Sequence, residues 1–153
     1  MRANIPIERL SQIGLLADWK WLLKGSYEMI AMNHFGDMFL RQSTGEIRLL
    51  RVGSGDVEKI AESQAEFQSL LAEKEKQREW FALGLLTEIE REGMTLAPGQ
   101  CFSFKKPLTL GGTMEVSNIE VASIAIYVSL MGQLHRQLKD VPPGTRITGL
   151  RIE

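Results

Sequence analysis

A chain of 153 residues with 18 basic and 19 acidic side chains, a net charge of −1 and a single cysteine fits one domain, residues 1–153, that buries roughly 68–70% of its unfolded surface. The near balance of charge excludes a strongly basic nucleic-acid binder and an acidic tail, while leaving room for a local charged patch. Cys101 has no second cysteine to pair with, which points to a reducing compartment, the cytoplasm.

The N-terminus, MRANIPIERLSQIGLLADWKW, is interrupted by Arg2, Glu8, Arg9, Asp18 and Lys20, so it lacks the unbroken apolar stretch of a signal peptide or a membrane span. Ile7, Leu10, Ile13, Leu16 and Ala17 follow helical spacing between Pro6 and Gly25, which predicts an amphipathic helix over residues 6–24. Asp18 could cap a second short helix carrying Trp19, Trp21 and Leu22.

Three turns then punctuate β-type sequence. Tyr27 to Met32 is a candidate strand, Asn33 to Gly36 a turn, and Asp37 to Arg41 a second strand. Ser43-Thr44-Gly45 closes a hairpin to Glu46 through Val52. In that third strand Ile47, Leu49 and Arg51 alternate with Arg48, Leu50 and Val52, predicting one mixed face and one apolar face. Gly53-Ser54-Gly55-Asp56 turns into Val57 to Ala61, and the whole reads as an antiparallel meander. A phosphate-binding reading of Gly53-Ser54-Gly55 is disfavoured because a strand follows it, not a helix N-terminus.

Ser63 and Glu66 have capping-box spacing, and Phe67, Leu70 and Leu71 form the stripe of the helix that follows. The run EKEKQRE reads as a solvated face or inter-helix connection. A helix is expected from Arg78 to Glu92, with Gly93 as its stop. Residues 94–118 are rich in Gly and Pro without a sustained period, which predicts an ordered irregular segment, with a short strand over Cys101 to Phe104. Ile124, Tyr127, Val128, Met131, Leu134 and Leu138 predict a last helix from Ser123 to Lys139, ended by Pro142-Pro143-Gly144. Arg146 to Ile152 could return as an edge strand. The fold class is therefore α+β, an antiparallel β-meander packed by several α-helices, with Phe67, Trp80, Tyr127 and Leu134 in its core.

Chemistry-bearing motifs are sparse. CxxC, HExxH, GxSxG and the phosphate-loop pattern are all missing, and His34 and His135 are the only histidines. A nucleophile site could be assembled only from Cys101, those two histidines and Asp37, and nothing in the spacing shows that they meet. His135 reads as a boundary residue of the last helix. Glu88 and Glu92, four apart on a helix, read as solvated surface rather than an acid/base pair. Lys105-Lys106 beside Phe102 and Phe104 is too short a basic step to bind single strands. No catalytic residue, metal ligand or cofactor is expected.

The stretches NHFGDMFLRQSTGEIRLLRVGSGDVEKIAESQAEF, APGQCFSFKKPLTLGG and NIEVASIAIYVSLMGQLHRQLKDVPPGTRI resemble the C-terminal domain family of type VI secretion system immunity proteins. The motifs that carry the likeness are Gly36-Asp37, Leu110-Gly111-Gly112, and Gly132-Gln133-Leu134-His135-Arg136-Gln137 ahead of Pro142-Pro143-Gly144. The likeness spans Trp19 to Ile147. The resemblance implies a non-enzymatic protein that binds and blocks a toxin, in best-known form a DNase, encoded nearby; it implies no direct nucleic-acid or membrane contact. The chain departs from the pattern in lacking the glutamate-rich domain that such proteins often carry in front.

On that reading the exposed charges Asp56, Glu58, Lys105, Lys106 and Arg136 are the partner-binding candidates, with the irregular segment and last helix as the binding face. A small regulatory or adaptor protein without a toxin partner and an uncharacterised hydrolase are the alternatives. Gene neighbourhood would separate the first. A pocket uniting Asp37, His135 and Cys101 would support the second.

Overall fold

The computed structural model describes residues 4–7, 10, 12–149 and 151–152. Four antiparallel strands in sequence order, β1 (Tyr27–Met32), β2 (Met38–Gln42), β3 (Ile47–Arg51) and β4 (Asp56–Ala61), form the meander, and a separate ribbon pairs β5 (Gln100–Phe104) with β6 (Ile119–Ser123). The helices are α1 (Gln12–Leu16), α2 (Gln64–Leu71), α3 (Lys74–Trp80), α4 (Leu83–Arg91) and α5 (Ile124–Leu138). This is an α+β fold.

Both faces of the meander are covered, and here the expectation of one mixed face fails. Register pairs Phe39 with Leu49 and Met38 with Leu50. Period-two alternation therefore sends Phe39, Ile47 and Leu49 to one side, where they meet Phe67, Trp80 and Phe81. On the other side Met38, Leu40, Leu50 and Val52 pack with Trp19, Val128 and Leu134. A strand buried on both faces carries apolar residues at consecutive positions, as Leu49 and Leu50 do.

The N-terminal segment is less helical than its spacing suggests. Among its described residues only Gln12–Leu16 is α-helix, continuing as a 3-10 turn over Ala17–Trp19; Glu8, Arg9 and Ser11 lie outside the described residues. Asn4 instead bridges Asn33, and the Ile5 amide donates to Met32 O at 2.8 Å. Asp18 does not cap a helix; its carboxylate accepts the Ser129 hydroxyl at 2.5 Å. Trp19 Nε1 donates to Val128 O at 2.9 Å and Trp21 Nε1 to Gly132 O at 3.1 Å, both on α5. This crossing is so close that a Cβ on Gly132 would lie 2.6 Å from Asp18 O, which is why a glycine stands in the middle of a helix.

The residues expected to form one helix from Arg78 to Glu92 are broken after Trp80. Ala82 adopts φ +48° at the start of α4. The turn lets Trp80 and Phe81 enter the cluster under the meander while Leu86 and Ile89 enter another beneath the β5–β6 ribbon. The charged run is itself helix α3, its polar side solvated and its last residue, Trp80, buried. At α2, Ser63 Oγ accepts the Glu66 amide at 3.1 Å, and Glu66 Oε1 reaches one residue further back than the capping box requires, to the Glu62 amide at 3.4 Å. No strand forms among the described residues of the last segment. There Gln137 clamps Arg151 through its side-chain amide, with the Arg151 N–H donating to Gln137 Oε1 at 2.8 Å, so local pairing to α5 replaces a sheet edge.

The β1–β2 turn holds the parts in register. Asn33 Oδ1 accepts the amides of Phe35 (2.9 Å) and Asp37 (3.1 Å), and Asn33 Nδ2 donates to Asp37 Oδ2 and to Trp80 O, both at 3.0 Å. Asp37 Oδ1 accepts the Val52 amide at 3.0 Å. Burial pushes the Asp37 carboxyl from 3.8 up to about 6, against the lowering effect of the Asn33 and Val52 hydrogen bonds.

Two measurements check this packing. Trp80 is 2% exposed and stacks on Phe67 at 5.7 Å, so Trp80→Ala is expected to cost about 3–5 kcal/mol in urea unfolding; a loss under about 1 kcal/mol would put Trp80 outside the core. Because Asp37 holds its proton more tightly folded than unfolded, its contribution to stability is fully present below about pH 4 and is lost as pH rises through about 6. The stability difference between the wild type and Asp37→Asn should therefore fall between those limits, by at most ~3 kcal/mol because the residue retains some solvent contact; a difference that is flat with pH would show that the carboxyl is not held in this way.

Candidate functional site

The residues from which a nucleophile site could have been assembled are used inside the fold. Cys101 on β5 is fully buried, beneath Gly36 and beside Tyr127 and Val52. Burial, with the nearby Asp37 carboxylate second, pushes its thiol up to about 12, so it is protonated and inert at neutral pH. The same two causes raise the Tyr127 phenol. Its hydroxyl is buried near the Phe104 main chain without a hydrogen bond of good geometry.

His135 is not a boundary residue, as its helical position suggested, but is 4% exposed. Its ring lies 5.9 Å from that of Trp19 and against Gly55, leaving no room for a side chain there. His135 Nε2 is 3.2 Å from Val52 O; a carbonyl only accepts, so Nε2 carries the proton. Burial lowers the imidazole pKa, keeping it neutral. Asp37 and Cys101 thus come together, whereas His34 lines a groove on another side of β5. A constellation with an accessible nucleophile and a base is not what this arrangement provides.

The groove is a concavity of about 900 Å³ between the N-terminal segment, α4 and residues 93–100. Its wall is mainly apolar, with Ile5, Leu86, Leu96 and Phe102, and its titratable groups among the described residues are His34 and Glu90. No serine or cysteine lines it among those residues. Sequence reasoning anticipated an ordered, irregular segment here but not that it would face the N-terminal segment across a cleft, because nothing local encodes that juxtaposition.

The five surface charges lie on three elements. Asp56 and Glu58 project from β4 and share Arg51, at 3.1 and 3.0 Å. Arg136 is exposed on α5, bordering a hollow of about 300 Å³ with Lys20 and Trp21. The contact of His135 with Gly55 sets the β3–β4 turn against this end of α5. Lys105 and Lys106 are exposed at the end of β5. Asn118 orders their loop by donating to Lys106 O (3.0 Å) and Thr113 O (2.9 Å) and accepting the Lys106 amide (2.9 Å). A Cβ on Gly112 would fall 1.9 Å from Lys106 O, so the Gly111-Gly112 pair is a steric requirement of this loop. Glu88 and Glu92 are exposed. Among the described residues no group of three His, Cys, Asp or Glu side chains could hold a metal ion, and no helix is long and apolar enough to cross a membrane.

No curated protein matches the chain. The match to a known family is narrower than the likeness noted over Trp19 to Ile147, leaving β1, β2 and β3 outside it and taking in α2 through most of α5. Residues 61–135 match the family described as T6SS immunity protein Tdi1, C-terminal.

Proposed function

We propose that the chain is a non-enzymatic immunity protein, acting in the cytoplasm, that neutralises a bacterial toxin by binding it. The match to an immunity-protein family makes a toxin the natural partner. The observation that supports binding over catalysis is the division of labour among polar groups. Asp37, Cys101 and His135 are engaged in holding β1, β3, β5 and α5 together, while Asp56, Glu58, Lys105, Lys106 and Arg136 face solvent. Asp56, Glu58 and Arg136, brought to one end by the packing of His135 on Gly55, would form one contact region, and Lys105-Lys106 a second.

Arg51 tempers the acidic region. It sits between Asp56 and Glu58, so the three side chains together carry one net negative charge, and steering of a basic nuclease would be modest. Occlusion, rather than chemistry, then sets the strength of inhibition.

Co-expression with a toxin encoded beside the gene, followed by binding kinetics on the purified pair, tests this reading. Cys101→Ala should retain full protection. Glu58→Lys should slow association by about 3–10-fold at low salt, with the difference vanishing at high salt. Loss of protection in a folded Cys101→Ala protein, or turnover of a substrate by the purified chain, would instead favour an enzyme.

A further inference from the structure

The strand edges of this protein are not treated alike. β4 exposes Asp56, Glu58 and Lys59 along its length, the usual charged protection of an edge. β1 is met by the N-terminal segment through Ile5, and β5 is tied to the β1–β2 turn by the Phe102 amide, which donates to His34 O at 2.8 Å. Among the described residues β6 has no strand on its outer side. It exposes Val121 (37%), and α5 exposes Ile126 (63%) one turn further on.

The phase of the ribbon determines which groups that edge presents. The Lys105 amide donates to Asn118 O (2.7 Å) and the Ile124 amide to Gly99 O (2.9 Å). Even-numbered residues of β6 therefore bond to β5, and the main-chain groups of Ile119, Val121 and Ser123 point outward. Two of those six groups are already used. The Ile119 N–H donates to Val116 O, and Ser123, as N-cap of α5, gives its carbonyl to the first helical bond. Four remain, the Ile119 C=O, both groups of Val121 and the Ser123 N–H.

We infer that β6 pairs antiparallel with β6 of a second copy of this chain, about a two-fold axis at Val121. In that register Val121 exchanges both hydrogen bonds with its counterpart, and each Ser123 N–H reaches the other copy's Ile119 C=O. Every remaining outward group is then satisfied, and the two groups already used, the Ile119 N–H and the Ser123 C=O, are the two that would otherwise pair with each other across the seam, so neither leaves a partner unsatisfied. Sliding the strands by two residues either way halves the number of bonds. Val121 faces its counterpart on the side that carries Phe102, extending an apolar row across the seam. Glu120 faces Ala122 of the other copy, so like charges are not directly opposed. A toxin strand could use the same edge, but the pattern of used and unused groups is complementary to itself, which favours a second copy. The contact is smaller than a standard interface, so the dimer forms as a concentration-dependent equilibrium.

Sedimentation velocity on the whole chain from ~1 μM to ~1 mM, with hydrogen exchange at both ends of that range, tests the pairing. The mass should double with concentration, and the Val121 and Ser123 amides should become protected in step, while the Glu120 and Ala122 amides, bonded to β5, stay protected throughout. Val121→Lys, which sets two cations face to face, should weaken the dimer by at least ~10-fold without lowering the melting temperature of the dilute monomer. Val121→Thr should keep it. A monomer at ~1 mM, or a dimer indifferent to Val121→Lys, would overturn the proposal, as would protection of the Val121 amide that arises only on adding a toxin.

Discussion

Five hydrogen bonds made by the side chains of Asn33 and Asp37 hold the β1–β2 turn, and the three apolar clusters meet around that turn. Asn33 Nδ2 reaches Trp80 O and so fixes the end of α3 against the meander, while Asp37 Oδ1 takes the Val52 amide where β3 ends. Phe35, between them, enters the cluster shared by α4 and the β5–β6 ribbon, with its ring 6.1 Å from Phe102. A buried network of this kind stabilises only when it is complete, because each polar atom left without a partner keeps its desolvation cost. Gly36-Asp37, which lies outside the matched span of residues 61–135, thus serves the fold by ordering this turn.

Covering both faces of the meander explains the broken helices. One long helix over residues 64–92 could bury only one stripe against one surface. The interruptions after Leu71 and Trp80 let Phe67, Trp80 and Phe81 close the sheet face and let Leu86 and Ile89 turn to the ribbon. On the opposite face the two indole N–H groups of Trp19 and Trp21 dock the N-terminal segment on α5. Its short helix is therefore stabilised by tertiary contact more than by its own length.

These same demands shape the surface available for binding. The Cys101 thiol, pushed to about 12, and the neutral His135 imidazole are buried. What remains outside is a set of charges on β4, α5 and the loop ordered by Asn118, together with an apolar groove beside residues 93–100. A rigid scaffold that presents loops and charges suits recognition of a protein partner.

Local chemistry made much of this legible in advance. The turns at Ser43-Thr44-Gly45 and Gly53-Ser54-Gly55, the cap at Ser63 and the spacing from Ile124 to Leu138 each rest on a few neighbouring residues, and each is realised in β2, β3, β4, α2 and α5. The likeness to immunity proteins was equally a property of ordered short motifs, and it holds over residues 61–135. β6, the covering of both sheet faces, the break at Ala82 and the burial of His135 were not legible. They depend on which distant surfaces meet: Gly55 beneath an imidazole eighty residues further on, Gly132 against Asp18, Val121 across from Phe102. Periodicity specifies the apolar side of an element, but only packing specifies what that side touches. Sequence alone determined most of the elements and the family likeness; tertiary structure decided which polar groups are used up inside the fold and which are left at the surface.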